Sequence, residues 1–361
     1  MNPTNEDFIF RPARLARQKD ILFDRATYTA FPHVVRLDGD ELLLAFRQAP
    51  KEERIRHTHP RSIITVLRSK DLGETWQIEV ASQLGAGGGQ EFAMIRLGKG
   101  KVTGALAMHE VVPQDESVRA SIPVAHQHEY AYSNAGAYWC WSRNFGLTWR
   151  LQDAVLIDSN IQPSAPPIRL KDGTLLCPAY GIRRKGGTYQ SVLYRSEDRG
   201  ATWSKAITVA RGSLKTRGYC ETALLETEPG HILAMHRIEG VKVGTRGYFW
   251  WNESSDGGNS WSRPRPTGIL SGACPRLLRL HDGRILLTYG RRFEPYGLYA
   301  SLSEDSGHTW CDTALLLRKA PNGDQGYSSS IELEAGRIFT ACYAQNRRGT
   351  TGVTGTFWQL P

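Results

Sequence analysis

Apolar positions along this chain fall into short, strand-length runs separated by Asp-Gly-type turns, and the same run–turn–run unit recurs six times. The first runs of the six units begin at Phe31, Glu91, Ser164, Glu221, Cys274 and Tyr327. Most lead into a second apolar run, such as Leu42–Phe46, Leu175–Tyr180, Ile232–His236, Ile285–Tyr289 and Ile338–Tyr343. Runs of this length bounded by turn residues predict paired antiparallel strands.

A second repeat follows five of the units. It reads Ser-x-Asp-x-Gly-x-Thr-Trp at Ser69–Trp76, Ser142–Trp149, Ser196–Trp203, Ser254–Trp261 and Ser303–Trp310, with Asn144 for Asp once and Ser260 for Thr once. The acid or amide oxygen can accept backbone N–H bonds across a turn, and Gly supplies the permissive backbone angle. Trp then carries a large apolar surface into the gap between neighbouring sheets. Each unit therefore predicts two strands, a third strand, the boxed turn and a fourth strand. Six such units make an all-β, six-bladed propeller of four-stranded antiparallel blades, a single domain over residues 1–361. The sixth unit has no box, and the segment near Phe8 to Phe23 is expected to supply its missing outer strand and close the ring.

Composition adds bounds. The 36 Gly, 10 Trp and 14 Tyr suit short strands and tight turns better than helices. A net charge of +9 favours an anionic partner. No run of five basic residues occurs, and the densest patches, Arg54–Arg56 and Arg183–Lys185, are short, which disfavours nucleic acid. No apolar stretch is long enough to span a membrane. The polar start of the chain has no signal-peptide core, and six scattered cysteines read as buried, reduced thiols; a cytoplasmic protein is expected, with secretion open if a leader once preceded Met1. Nothing in the sequence specifies the oligomeric state.

The two repeats resemble the sialidase-like, BNR or Asp-box family over nearly the whole chain. That resemblance implies a six-bladed propeller with the boxes at the blade periphery, where they are structural. In a propeller the first strand of each blade lines the axis. Aligned on that frame, with side chains two apart on one strand face, the inner strands gather Glu91, Glu221, Tyr327, His33 and Arg276. Charged groups rarely enter a packed core unpaired, so this face is expected to be the axial one. The segment at Gly326–Ser329 is similar to the sialidase strand that bears the nucleophilic tyrosine. Glu221 and Arg237 resemble the family's base glutamate and second triad arginine. The resemblance thus implies Tyr327 as nucleophile, Glu221 as its base and Arg237 as a carboxylate ligand.

Three departures stand out. Ala30 occupies the place of the first triad arginine, the loop from Arg54 to Ser62 has no Asp for the acid/base, and no arginine sits in the third position, although Arg291 and Arg292 are close. Arg47, Arg276, Arg291 and Arg292 are candidates for a rebuilt anion clamp. His33, His57, His59, His126 or His128 are candidates for the proton donor, with His33 the leading choice. The His126–Glu129 stretch has too few ligands for a metal site, and no cofactor is expected. The insertion from Val111 to Glu129 is long enough for a lid or a contact between copies.

The expected activity is an exo-acting glycoside hydrolase that removes a terminal acidic sugar, sialic acid or a related ulosonate, from an anionic glycan. Two alternatives remain: a polysaccharide lyase or hydrolase acting on uronate or deoxysugar glycans, and a non-catalytic glycan-binding propeller.

Overall fold

The structure, a computed structural model, describes residues 9–52, 58–78, 84–113, 125–127, 130–183, 187–213, 218–239, 247–270 and 272–361. Six sheets follow one another along the chain. Blade one holds β3 (Thr27–Arg36), β4 (Leu42–Pro50), β5 (Ile63–Ser69) and β6 (Gln77–Ile78). Blade two holds β7 (Gly89–Gly98), β8 (Lys101–Pro113), β10 (Tyr130–Ser142) and β11 (Val155–Asp158), with the short β9 (Ala125–Gln127) pairing on β10. Blade three runs from β12 (Ile168–Arg169) through β13 (Leu175–Gly181) and β14 (Gln190–Ser196) to β15 (Ile207–Ala210). Blade four runs from β16 (Gly218–Glu228) through β17 (His231–Glu239) and β18 (Tyr248–Ser254) to β19 (Arg265–Leu270). Blade five contains β20 (Arg276–Arg279), β21 (Ile285–Arg291), β22 (Gly297–Ser303) and β23 (Thr313–Lys319), and blade six β24 (Gly326–Glu334), β25 (Arg337–Gln345) and β26 (Thr351–Gln359). Consecutive strands within each blade are antiparallel, so the all-β, six-bladed architecture read from the repeats is what the chain adopts.

The N-terminal segment does two jobs. β2 (Arg14–Leu22) pairs antiparallel with β26 and supplies the outer strand of blade six, as expected. β1 (Ile9–Pro12) instead runs parallel to β23 as a fifth strand of blade five, which the repeats did not announce. The chain therefore stitches the last two blades together, with Ala13 buried between them against Leu286, Leu298, Ile338 and Trp358.

Each box closes its turn with Ser and Asp or Asn hydrogen bonds, and in the first four the Trp indole adds a bond to the Gly carbonyl. In the first, Ser69 Oγ donates to Asp71 at 2.8 Å and accepts from the Gly73 N–H at 2.7 Å. Asp71 also accepts from the Thr75 amide at 2.8 Å and hydroxyl at 2.6 Å, and Trp76 Nε1 donates to the Gly73 carbonyl at 3.0 Å. The box glycine lies against the preceding blade. A Cβ on Gly146 would meet Leu43 at 2.2 Å, one on Gly200 would meet Trp139 at 2.1 Å, and one on Gly307 would meet Leu233 at 2.3 Å. The boxes thus set how closely successive blades approach. Trp149 and Trp203 fill the seams, with rings 4.8 Å from Phe92 and 4.9 Å from Trp139.

No helix among the described residues is long and apolar enough to cross a membrane. All six cysteines are free thiols; five are buried, whereas Cys311, read as part of that buried set, is exposed just after the last box.

The seam geometry makes a paired prediction. Gly200→Ala combines a positive φ of 93° with a clash on the Trp139 indole, so it should cost about 2–4 kcal/mol in urea unfolding. Gly39→Ala, at φ 61° with no atom within 4 Å of the new methyl, should cost only the backbone penalty, about 1 kcal/mol. Equal losses at the two sites would remove the inter-blade approach as the reason for the box glycine.

Candidate active site

The inner strands of blades one, four and six share one irregularity. Ala30 pairs with Arg47 and His33 with Ala45; Cys220 pairs with Arg237 and Ala223 with Met235; Gly326 pairs with Tyr343 and Ser329 with Ala341. In each case the inner strand carries one residue more than its partner, a β-bulge. The first bulged residues, Phe31, Glu221 and Tyr327, have φ of 59°, 43° and 48°. Bulky residues in the left-handed region are costly, and bulges beside sites re-aim side chains. The extra residue also corrects the two-residue spacing used above: across these bulges, residues two apart do not share a face.

The device brings Tyr327 and Glu221 together across the ring. The Tyr327 hydroxyl donates to Glu221 Oε1, and Arg237 Nη1 donates to Glu221 Oε2 at 2.7 Å and to the Tyr327 oxygen at 3.4 Å. Arg237 also forms an ion pair with Glu239. Tyr327 and Glu221 are 7% and 3% exposed. Burial would raise the Glu221 pKa, but the Arg237 charge and the Tyr327 bond outweigh it and hold the carboxyl below its ordinary range. Burial, reinforced by the Glu221 charge, pushes the Tyr327 phenol well up. The pair is therefore a neutral phenol beside an ionised carboxylate, the arrangement in which the carboxylate can take the phenol's proton.

Around this pair, Phe31 packs on Tyr327 with ring centroids 4.6 Å apart. Arg292 donates to the Tyr343 hydroxyl at 2.7 Å and to the Gln325 carbonyl at 3.1 Å, and its guanidinium lies 5.6 Å from the Tyr327 ring. Glu91 faces Arg276 at 4.0 Å, and burial raises its pKa well above the ordinary value despite that partner. Arg276 is anchored by the carbonyls of Ser164 at 2.6 Å and Pro275 at 3.1 Å.

Six of the candidates assemble here: Tyr327, Glu221, Arg237, Arg292, Glu91 and Arg276. Arg47, Arg291, His33 and His59 are placed otherwise. Arg47 is 0% exposed, its guanidinium 5.8 Å from the Tyr28 ring, so a substrate does not reach it in this conformation. Burial lowers its pKa to about 10. Arg291, the last residue of β21, turns the other way from Arg292, onto Phe10 at 5.0 Å and the Glu294 carbonyl at 2.9 Å, while Arg292 lies just beyond the end of the strand. His33 is buried, and its Nδ1 accepts the Met94 N–H at 3.0 Å. Burial and then the Arg276 charge lower its pKa to about 3, so it holds no proton to give near neutrality. His59 bonds Glu52 at 2.8 Å. His57 and His128 lie outside the described residues, as do the side chain of His126 and most of the insertion read as a lid. No group of three or more His, Cys, Asp or Glu suited to a metal occurs among the described residues.

Sequence reasoning passed over three residues. Tyr343 and Glu239 complete the hydrogen bonds of Arg292 and Arg237, and Tyr28 donates to Asp324 at 2.8 Å, fixing the loop that leads into Tyr327. Tyr343 lies on the strand paired with β24, opposite Gly326, and that pairing was the available signal.

Residues 126–340 match the family described as the BNR repeat-like domain. No curated protein matches the chain by sequence. Among solved structures, a protein of unknown function from Dyadobacter fermentans superposes with a TM-score of 0.82 at 23% identity, over 96% of this chain and 99% of that one. A Hadza microbial sialidase gives 0.67 at 18% identity, over 92% of this chain and 66% of that one. An α-L-arabinofuranosidase from Fusarium graminearum gives 0.67 at 13% identity, over 95% and 97%. At these identities the likeness is one of fold.

The state of His33 can be measured. The folded protein resists protonating it down to about pH 3, whereas the unfolded chain takes up that proton near pH 6.5. Acid therefore destabilises the fold progressively from about pH 6.5 downward. By pH 5 the histidine's share is about 2 kcal/mol, which His33→Gln should remove from the pH dependence of urea unfolding. An unchanged pH dependence in the variant would mean that His33 titrates normally.

Proposed function

Because the chain belongs to the family of BNR repeat-like domains, we propose that it is a glycoside hydrolase acting at the axis of the ring, and that its substrate ends in an acidic sugar of the ulosonate class. The observation that carries this reading is the contact of the Tyr327 hydroxyl with Glu221, with Arg237 touching both.

A tyrosine nucleophile suits an anomeric carbon that carries its own carboxylate, because a neutral phenol approaches it without the repulsion a carboxylate would meet. In the first step Glu221 accepts the phenolic proton as the Tyr327 oxygen bonds to the anomeric carbon. The glycosidic C–O bond breaks, and its electron pair leaves with the aglycone oxygen. Glu91, kept protonated by burial, is the group in this cluster suited to give that oxygen a proton. Water then attacks the anomeric carbon and gives a proton to Glu91; the bond from that carbon to the Tyr327 oxygen breaks, its electron pair staying on the oxygen, which takes back the proton held by Glu221, and the sugar leaves with its configuration retained. Arg292, with Arg276 and Arg237, would hold the substrate carboxylate by charge-assisted bonds.

A second reading rests on the same two carboxylates. Glu91 and Glu221 have pKa values pushed in opposite directions, the pattern of an acid and an ionised partner. The guanidinium of Arg237 is already engaged by Glu221 and Glu239. Such a site also suits a neutral sugar, and the structural likeness to an arabinofuranosidase adds that class to the panel.

The test is hydrolysis of fluorogenic α-glycosides of sialic acid and other ulosonates, with an aryl α-L-arabinofuranoside alongside. Tyr327→Phe should lower kcat on the acidic glycoside by about 10²–10⁴-fold, and the first-formed sugar should be the retained anomer by NMR. Cleavage of the arabinofuranoside alone, insensitive to Tyr327→Phe but lost in Glu221→Gln, would establish the second reading instead.

A further inference from the structure

A groove of about 720 Å³, within the size range of ligand sites, opens between the β25–β26 turn and the strap that leads from β23 into β24. Arg318, Lys319, Arg347 and Arg348 line it against one carboxylate, Asp20. Arg318 is fixed in place, its Nη1 donating to Gln18 Oε1 at 3.1 Å and Thr354 Oγ1 at 3.0 Å. Lys319, Arg347 and Arg348 are exposed, and their side-chain charges have no ion-pair partner among the described residues. The turn that carries the two arginines is built rather than loose: Asn346 Oδ1 accepts the Arg348 N–H at 2.9 Å and the Thr350 N–H at 3.1 Å.

The groove adjoins the axial site. Gln345, in its wall, lies two residues beyond Tyr343 on β25, about 7 Å along the strand and on the same face. The strap closing its other side is tied to both places: Asn322 donates to Gln345 at 2.8 Å, and Asp324, bonded by Tyr28, stands three residues before Tyr327. A chain whose last unit sits at Tyr327 can therefore run on over these cations.

We propose that this groove binds carboxylate or sulfate groups on the units behind the one cleaved, so that the substrate is an acidic oligosaccharide rather than a neutral glycan with a single acidic cap. The proposal deepens the hydrolase reading and rests on it for the direction of the chain. Two guanidiniums at a preformed turn, with the Lys319 ammonium at the end of β23 in the same groove, suit planar oxyanions, which take paired N–H bonds from arginine. Their exposure makes the interaction sensitive to salt.

The experiment is calorimetric titration of the wild type, the double variant Arg347→Ala/Arg348→Ala and Tyr327→Phe with three probes: tetrasaccharides of sialic acid and of galacturonate, and a single-stranded tetranucleotide. At low salt the wild type should bind at least one acidic tetrasaccharide, and the double variant should lose about tenfold in affinity, a difference that shrinks as salt rises. Hydrolysis of a monomeric aryl glycoside should be unchanged in the double variant, while KM for the tetramer rises. Arg347→Glu, with a larger loss than the alanine change, guards against a packing effect. Failure of both tetrasaccharides to bind, equal binding by wild type and double variant, or tighter binding of the tetranucleotide would each overturn the proposal. Tyr327→Phe separates the two claims. Tetramer binding through the groove with no turnover by the wild type keeps the groove and removes the hydrolase reading. Turnover that depends on Tyr327 but ignores Arg347 and Arg348 does the reverse.

Discussion

Everything at the axis depends on closure of the ring, and closure rests on the pairing of β2 with β26. The two strands join along their length, from Arg14 opposite Gln359 to Leu22 opposite Val353. Without that pairing the β26 edge would be open, and an unpaired edge is a template for other chains. The seam between blades six and one is then sealed like the others, with Val34, Leu44, Phe339 and Phe357 in one apolar cluster. Because each box glycine sets the distance to the blade before it, the angular places of the six inner strands are fixed together. Tyr327 and Glu221, far apart in the chain, can meet only because every intervening blade keeps its spacing.

What meets at the axis is expensive. Glu221, Arg237 and Arg276 are all buried or nearly so, and each buried ion loses several kcal/mol of hydration that pairing only partly restores, while burial holds Glu91 in its protonated form. Two of the site's side chains also stand on left-handed bulge residues that ordinary strand geometry would avoid. An interior selected for stability alone would be apolar and regular, as the seams between the blades are. Polar, strained and central, this cluster is where the chain departs from its own packing rules, and such departures concentrate at sites of function.

The sequence made the ring legible because its signals are local and repeated. The boxes recur with hydrogen bonds internal to each turn, and the missing sixth box pointed to the N-terminal strand. Tyr327 and Glu221 were legible for a related reason, since each lies at a fixed offset in a recurring inner-strand frame, whereas Arg237, on the next strand, was legible only through the family resemblance. What stayed hidden depends on one added residue or one turn of the backbone. The bulges at Phe31, Glu221 and Tyr327 leave no mark on the alternation of apolar residues, yet they change which side chains share a face. Arg291 and Arg292 are chemically identical in sequence, and only where β21 ends separates them: Arg291, its last residue, goes onto Phe10, and Arg292, just beyond it, onto Tyr343. Arg47 was a reasonable ligand by type, but Tyr28 stacks near it in a fully buried place. β1 could not be read at all, since a parallel fifth strand has no repeat to belong to.

The distribution of charge follows from these placements. The chain carries a net charge of +9, but little of it can act from the axis. There Arg237 is flanked by Glu221 and Glu239, so its field is largely cancelled within a few ångströms, and Arg276 is buried against the Ser164 and Pro275 carbonyls. Paired charges orient a bound anion at contact distance, where geometry matters most, and contribute little attraction further out. Attraction that reaches a Debye length of about 8 Å into solvent has to come from cations without such partners. Lys319, Arg347 and Arg348 are of that kind, and they line the groove beside the strap that leads into β24 and Tyr327. If the proposed function holds, the fold separates two tasks that a single arginine cluster would have to combine: drawing an anionic chain to the ring, and holding one sugar against the tyrosine once it arrives.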